Sequence, residues 1–135
     1  MNIPVFKPYI HDNEINAATE SLKLGWLGPG SYVKKFEEAI SDFLELKDKH
    51  VVAVNTGTSA VHLALKICGV SSGDEVITPS FNNIADFQSI HALNAHPVFC
   101  DILEDSLTID PKTIESLITE KTKAIICLDF GASSL

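Results

Sequence analysis

The residues best suited to chemistry lie in the string Asn55-Thr-Gly-Thr-Ser-Ala60, a polar turn between the apolar run at residues 51–54 and a helix-forming stretch over residues 60–68. If the run is a strand and the stretch a helix, the turn presents the helix N-terminus. The first backbone N–H groups there lack intrahelical partners and sit at the positive end of the macrodipole. Gly57 lets a ligand approach the backbone closely, and Thr58 and Ser59 add hydroxyl donors. Such an arrangement can hold one phosphate. It is neither a Walker A loop, which needs G-x-x-x-x-G-K-[ST], nor a G-x-G-x-x-G fingerprint. Threonine and serine at a helix start also serve as ordinary caps. These residues alone therefore leave an anion pocket and a plain cap both open.

No other constellation carries a reaction. The five histidines, His11, His50, His62, His91 and His96, share no metal-ligand spacing with a carboxylate, and structural or surface roles are expected of them. Cys68, Cys100 and Cys127 form no C-x-x-C pair. Each lies in an apolar run and reads as a small buried hydrophobe, and reduced thiols suit the cytosol. No catalytic residue and no metal ligand is nominated. Trp26, the single tryptophan, lies in the glycine-rich stretch Gly25-Trp-Leu-Gly-Pro-Gly30, where it is expected to pack the loop onto the core.

The elements that must position the turn follow from periodicity. A short helix is expected from Asp12 or Asn13, with Ile15, Ala18 and Leu22 on one face, broken by the glycine-rich loop. Ser31 is expected to cap a second helix. Its stripe is Val33, Phe36, Ile40, Phe43 and Leu44, and Lys34, Lys35, Glu37 and Glu38 form its solvated side. From residue 50 onward, short apolar runs at 51–54, 75–78, 97–100 and 123–128 alternate with helical stretches. Asn82 or Asn83 is placed to cap one helix, and Asp110-Pro111 opens another. This alternation predicts an α/β fold with a mainly parallel sheet, crossover helices and both sheet faces covered. Residues 4–10 read as extended.

The chain has 135 residues, 45% of them hydrophobic, and a formal net charge of −8. That charge argues against nucleic acid as a partner, since phosphate neutralisation needs clustered lysine and arginine. No segment reaches the roughly 18 apolar residues of a membrane span, and the first ten residues do not read as a signal peptide. A cytoplasmic location without membrane contact is expected.

Beyond these local readings, six strings occur in the order and spacing of one family. Gly25-Trp-Leu-Gly-Pro-Gly-Ser-Tyr-Val-Lys-Lys-Phe-Glu37, Asn55-Thr-Gly-Thr-Ser-Ala-Val-His-Leu-Ala-Leu65, Gly73-Asp-Glu-Val-Ile-Thr-Pro79, Pro97-Val-Phe-Cys-Asp101, Leu107-Thr-Ile-Asp-Pro111 and Thr119-Glu-Lys-Thr-Lys-Ala-Ile-Ile126 together span nearly the whole chain. They resemble the N-terminal portion of the DegT-type nucleotide-sugar aminotransferases. The resemblance implies a fold-type I enzyme with pyridoxal phosphate as cofactor, working as a homodimer with active sites at the subunit interface. It also implies an amino-acid donor and a nucleotide-linked keto-sugar as substrates, in the making of polysaccharide or glycan precursors. Gly57, Thr58 and Ser59 would hold the cofactor phosphate. Asn83 would stand where the family carries a ring-stacking aromatic, Asp129 where it often has histidine, and Trp26 near the sugar-nucleotide site.

The family's cofactor-bonding lysine and pyridine-nitrogen acid both fall beyond the matched strings. The chain is therefore expected to be an N-terminal fragment, inactive alone. Residues 1–30 would be an extended segment, short helix and loop, and residues 31–135 the truncated start of the large cofactor-binding domain. A non-catalytic α/β module that binds phosphate or a partner is the alternative.

Overall fold

A computed structural model describes residues 7–129, which form two compact units divided between Ala53 and Val54. The expected extended opening lies partly outside the described residues.

The first unit holds two helices, α1 (Asp12–Lys23) and α2 (Ser31–Phe43). The N-cap of α1 is His11, whose backbone N–H donates to Glu14 Oε2 at 2.7 Å, so the cap falls one residue before the expected Asp12. Ser31 is likewise not the cap of α2. The extended Gly30 takes that place and its carbonyl accepts the Lys34 N–H at 3.1 Å, leaving Ser31 as the first helical residue. Glu37 is more than a solvated charge, because its Oε1 accepts the Ala53 N–H at 2.8 Å and ties the segment after α2 back to the helix. Neither helix carries a buried residue, and Phe43 on the expected inward stripe is 83% exposed.

The second unit is built on β1 (Glu75–Pro79), β2 (His96–Cys100) and β3 (Thr122–Ile125), all parallel in the order β2-β1-β3. Helix α3 (Gly57–Ile67) precedes the sheet. Helix α4 (Ile84–Ala92) links β1 to β2, and the short α5 (Pro111–Ile114) followed by a 3-10 turn links β2 to β3. Successive residues of β1 point to opposite faces, and both faces are covered. Val76 packs with Leu65, Val70, Ile90 and Ala95, while Ile77 packs with Cys100 and Ile109 against Ile114 and Leu117. The chain steps one way from β1 to β2 and then back past β1 to β3. Crossovers of one hand in opposite directions put their helices on opposite faces, which is where Ile90 of α4 and Ile114 of α5 lie. The expected parallel α/β sheet is thus present. Asp110 caps α5 as read from the sequence, its Oδ1 accepting the Lys112 N–H at 2.9 Å.

Two expectations, the strand at 51–54 and the burial of all three cysteines, are corrected. Residues 51–54 form no strand, since an apolar run becomes a strand only where a neighbour completes its ladder. The three-strand order provides none among the described residues, Ala53 gives its N–H to a carboxylate, and Val52 is 68% exposed. In helix α3 only Leu65 is buried, and Leu63 and Ile67 are exposed. Of the cysteines only Cys100 is buried, and that burial pushes its thiol pKa up. Cys68 closes α3 on its outer side and Cys127 lies past the end of β3, and both are exposed.

The end of α3 is set by Gly69, with φ +80°. Its N–H donates to Lys66 O at 3.1 Å, and the Val70 N–H donates to Leu65 O at 3.0 Å, a Schellman motif closed by the packing of Val70 on Leu65. A Cβ at residue 69 would meet only the flexible Lys123 Cε at 3.4 Å, so the cost of alanine there is conformational. Gly69→Ala is expected to destabilise the fold by roughly 1–2 kcal/mol and to lower the urea midpoint by about half a molar or more. An unchanged midpoint would show that this turn is not under conformational demand.

Candidate functional site

At the start of α3 the cap is Thr56. Its Oγ1 accepts the Ser59 N–H at 3.0 Å and its carbonyl accepts the Ala60 N–H at 3.1 Å. The Ser59 hydroxyl donates to Asn55 Oδ1 at 2.7 Å, so both Ser59 donors are engaged inside the turn. The N–H groups of Gly57 and Thr58 have no acceptor among the described residues. A Cβ built on Gly57 would meet nothing within 4 Å, so the backbone is open there. Of the expected phosphate donors, Thr58 is free, Ser59 is spoken for and Gly57 joins Thr58. Two free N–H groups, one free hydroxyl and the dipole of an 11-residue helix match a phosphate monoester in charge and donor number.

Beside this turn lies a cavity of about 330 Å³ lined by Thr58, Ser59, His62, Gln88, Ser89 and Ala92. His62 and Gln88 are not residues that the sequence singled out for a site. A helical turn places His62 below Thr58, and Gln88 reaches in from α4.

Helix α4 contributes more than a wall. Asn83 caps it, Oδ1 accepting the Ala85 N–H at 3.0 Å. Asn82 is the hub of a polar cluster. Its Nδ2 donates to Asp86 Oδ2 at 2.7 Å and to Thr78 Oγ1 at 3.2 Å, and its Oδ1 accepts the Asn83 N–H at 2.6 Å. Thr78 is fully buried and Asp86 is 8% exposed. The buried Ser89 hydroxyl is shared between Ala85 O at 2.8 Å and Thr58 O at 3.3 Å, joining α4 to the first turn of α3. Sequence reading weighed Asn82 only as a rival cap. The available signal was the Asn82/Asp86 spacing of four on a helix start, which brings two polar side chains together.

Trp26 stands in the other unit. Its Nε1 donates to Pro29 O at 2.9 Å, and its ring lies over the loop's own glycines, so closely that a Cβ on Gly30 would fall 2.8 Å from Cδ1. It packs its own loop rather than a core and remains 67% exposed, at the side of a cavity of about 250 Å³ shared with Leu24 and Tyr32. All ten lysines of the chain lie among the described residues, and all ten are exposed. No group of three or more His, Cys, Asp or Glu that could hold a metal occurs among those residues, and none of their helices is long and apolar enough to cross a membrane.

Comparison with known proteins extends this picture. The model of the DegT/DnrJ/EryC1/StrS aminotransferase family matches residues 8–133. Over 132 residues the chain is 42% identical to the spore coat polysaccharide biosynthesis protein SpsC of Bacillus subtilis, covering 98% of this chain and 33% of that protein. It is 37% identical over 133 residues to UDP-4-amino-4-deoxy-L-arabinose–oxoglutarate aminotransferase of Shewanella sediminis, covering 98% of this chain and 34% of that enzyme. Among solved structures it is similar to Spr1654 from Streptococcus pneumoniae in its PLP form, with a TM-score of 0.89 and 33% identity over 100% of this chain and 34% of that one. The chain therefore spans about a third of the length of the curated relatives it matches.

Proposed function

The chain belongs to the DegT/DnrJ/EryC1/StrS aminotransferase family, and from that premise we propose that it is the cofactor-phosphate-binding N-terminal portion of an enzyme that moves an amino group from an amino acid, glutamate in the first instance, to a nucleotide-linked keto-sugar. The observation that carries this reading is the pair of unclaimed N–H groups on Gly57 and Thr58 at the head of α3. Pyridoxal phosphate, when bound, supplies the electron sink for such a transfer. The residues of this chain would bind and orient it. Gly57 and Thr58 receive the phosphate, and Ser59 holds the turn in shape through Asn55 and Thr56. Asn83 borders the ring, and Trp26 contributes to the sugar-nucleotide site. Residues 31–135 belong to the cofactor-binding large domain, and residues 1–30 form the preceding segment. The working enzyme is a cytoplasmic homodimer serving polysaccharide or glycan precursor synthesis; the name of the SpsC relative supports the polysaccharide setting, and that of the arabinose aminotransferase the nucleotide-sugar chemistry. The 135 residues alone would be inactive.

Pyridoxamine phosphate tests the phosphate site, since it has the cofactor's phosphate and ring but no aldehyde to react with lysines. Its binding is expected to move the backbone resonances of Gly57 and Thr58. Thr58→Pro removes both Thr58 donors, the N–H and the hydroxyl, within the first helical turn, where proline is tolerated. It is expected to weaken binding roughly tenfold or more, the worth of a charge-assisted hydrogen bond, with helix content unchanged. If millimolar ligand moves neither resonance, the turn is only a cap and the reading fails.

A further inference from the structure

We propose that Asp86 and Ser89, three residues apart on α4, are positioning residues that fix the two ligand-facing segments of the site: Asp86 acts through Asn82 on Asn83, and Ser89 acts directly on Thr58. The proposal rests on the reading of Gly57, Thr58 and Asn83 as cofactor-facing.

The case begins with the asymmetry of an amide. The Asn82 side chain has one donor end and one acceptor end, and a carboxylate accepts only. The end beside Asp86 Oδ2, at 2.7 Å, must therefore be the NH2 group. That choice leaves the carbonyl end toward Asn83, where it accepts the backbone N–H at 2.6 Å. Thr78 Oγ1, fully buried on the central strand, takes the Asn82 amide at 3.2 Å and references it to the sheet. Asp86 thus selects the amide orientation, the amide holds the Asn83 N–H, and Asn83 in turn caps α4 through Ala85. With an aliphatic residue at position 86, only the Asn83 N–H still favours this amide orientation, since in the flipped one it would face a second donor, and the NH2 end loses its charged anchor.

Stability gives no reason for this design. A carboxylate that is nearly buried and held by a neutral amide is dearer than an apolar side chain of similar size. What it supplies is one defined conformation for the turn between β1 and α4. Ser89 does the corresponding work at the other segment. It is 2% exposed, and its hydroxyl links α4 to the carbonyl of Thr58, whose own N–H is one of the two unclaimed donors. Ser89 follows Asn83 by six residues, about 9 Å along a helix at 1.5 Å per residue. One face of α4 therefore sets the spacing between the residue expected at the ring and the residue expected at the phosphate.

The experiment uses the 135-residue chain and its Asp86→Ala, Asp86→Asn and Ser89→Ala variants. Hydrogen exchange at the Asn83 amide is read by fragmentation mass spectrometry, which needs no monomeric sample. Asp86→Ala is expected to speed that exchange about tenfold, the worth of one net hydrogen bond. Asp86→Asn, whose carbonyl can still accept from Asn82, should stay within about threefold of the parent. Binding is then compared for pyridoxamine phosphate and inorganic phosphate. Asp86→Ala is expected to weaken the first severalfold and leave the second unchanged, whereas Ser89→Ala weakens both. Unchanged exchange at Asn83 in Asp86→Ala overturns the proposal. So does an equal loss of both ligands in that variant, which would mark general loosening. If the parent chain binds neither ligand, it is the proposed function that fails, and the exchange result alone decides the role of Asp86.

Discussion

Incubated with glutamate, a nucleoside-diphosphate keto-sugar and pyridoxal phosphate, the 135-residue chain is expected to form no amino-sugar above the blank. A lysine becomes a nucleophile at neutral pH when burial or a neighbouring cation disfavours its charged form. All ten lysines here are exposed, so the first of these settings is open to none of them. The resemblance to the family places its lysine and its pyridine-nitrogen acid outside the matched strings. General acid–base catalysis by a positioned group is worth about a hundredfold to ten-thousandfold, and its loss adds to the loss of the covalent attachment. Borohydride reduction followed by peptide mapping gives a second reading. Label from pyridoxal phosphate should spread over many exposed lysines at low yield. Stoichiometric label on one lysine, with turnover, would refute the expectation.

At tens of micromolar the isolated chain is expected to elute from a sizing column as multimers. Several apolar side chains of the second unit face solvent, among them Ile67 of α3 at 77% exposure and Ile125 of β3 at 42%, with Leu63 and Val54 also exposed. Strand β3 pairs with β1 on one side only and has no ladder on the other among the described residues. Unpaired strand edges and contiguous apolar surface both favour association. Covering about 400 Å² of apolar surface contributes roughly 10 kcal/mol at 25 cal/mol per Å², as much as the whole stability of a typical domain. Ile67→Lys with Ile125→Lys adds charge at two positions that are already exposed, and should shift the elution toward the monomer without loss of helix content. A parent chain that is monodisperse and monomeric would sink this prediction and favour a self-sufficient binding module.

Much of the second unit was readable because its signals are local and agree with one another. Val76 and Ile77 sit in a β-branched stretch closed by Pro79, Gly69 follows a helical pattern, and Asp110-Pro111 combines a cap with a first-turn proline. The glycine and the Asp-Pro pair specify their own backbone whatever lies elsewhere, and the β1 segment has neighbours on both sides to complete its ladder. Residues 51–54 show the limit: their composition matches a buried strand, but a ladder depends on a neighbour that composition does not name. The stripe from Val33 to Leu44 fails for the same reason. It has the period of a packed helix, and burial depends on what lies opposite. The site divides along the same line. Gly57 and Thr58 were legible as the open head of α3 because a helix N-terminus is a local object. Asp86 and Ser89 were passed over because an acid and a serine in a short helix look solvated until the fold sets Thr78 and Thr58 against them.

The placement of Trp26 decides what light can report about this molecule. It is the only indole in the chain, and its ring lies against Gly28 and Gly30 within a single loop. Its emission therefore reports on that loop, which lies in the first unit, whereas Ile77 and Ile90 belong to the core of the second. A fluorescence melt would follow the helical N-terminal unit, while far-ultraviolet ellipticity would sum over both. Coincidence of the two transitions is the usual sign of a single cooperative unit. In this chain the comparison asks whether the two units unfold as one, and a fluorescence midpoint quoted alone would describe the part that carries no buried side chain in either helix.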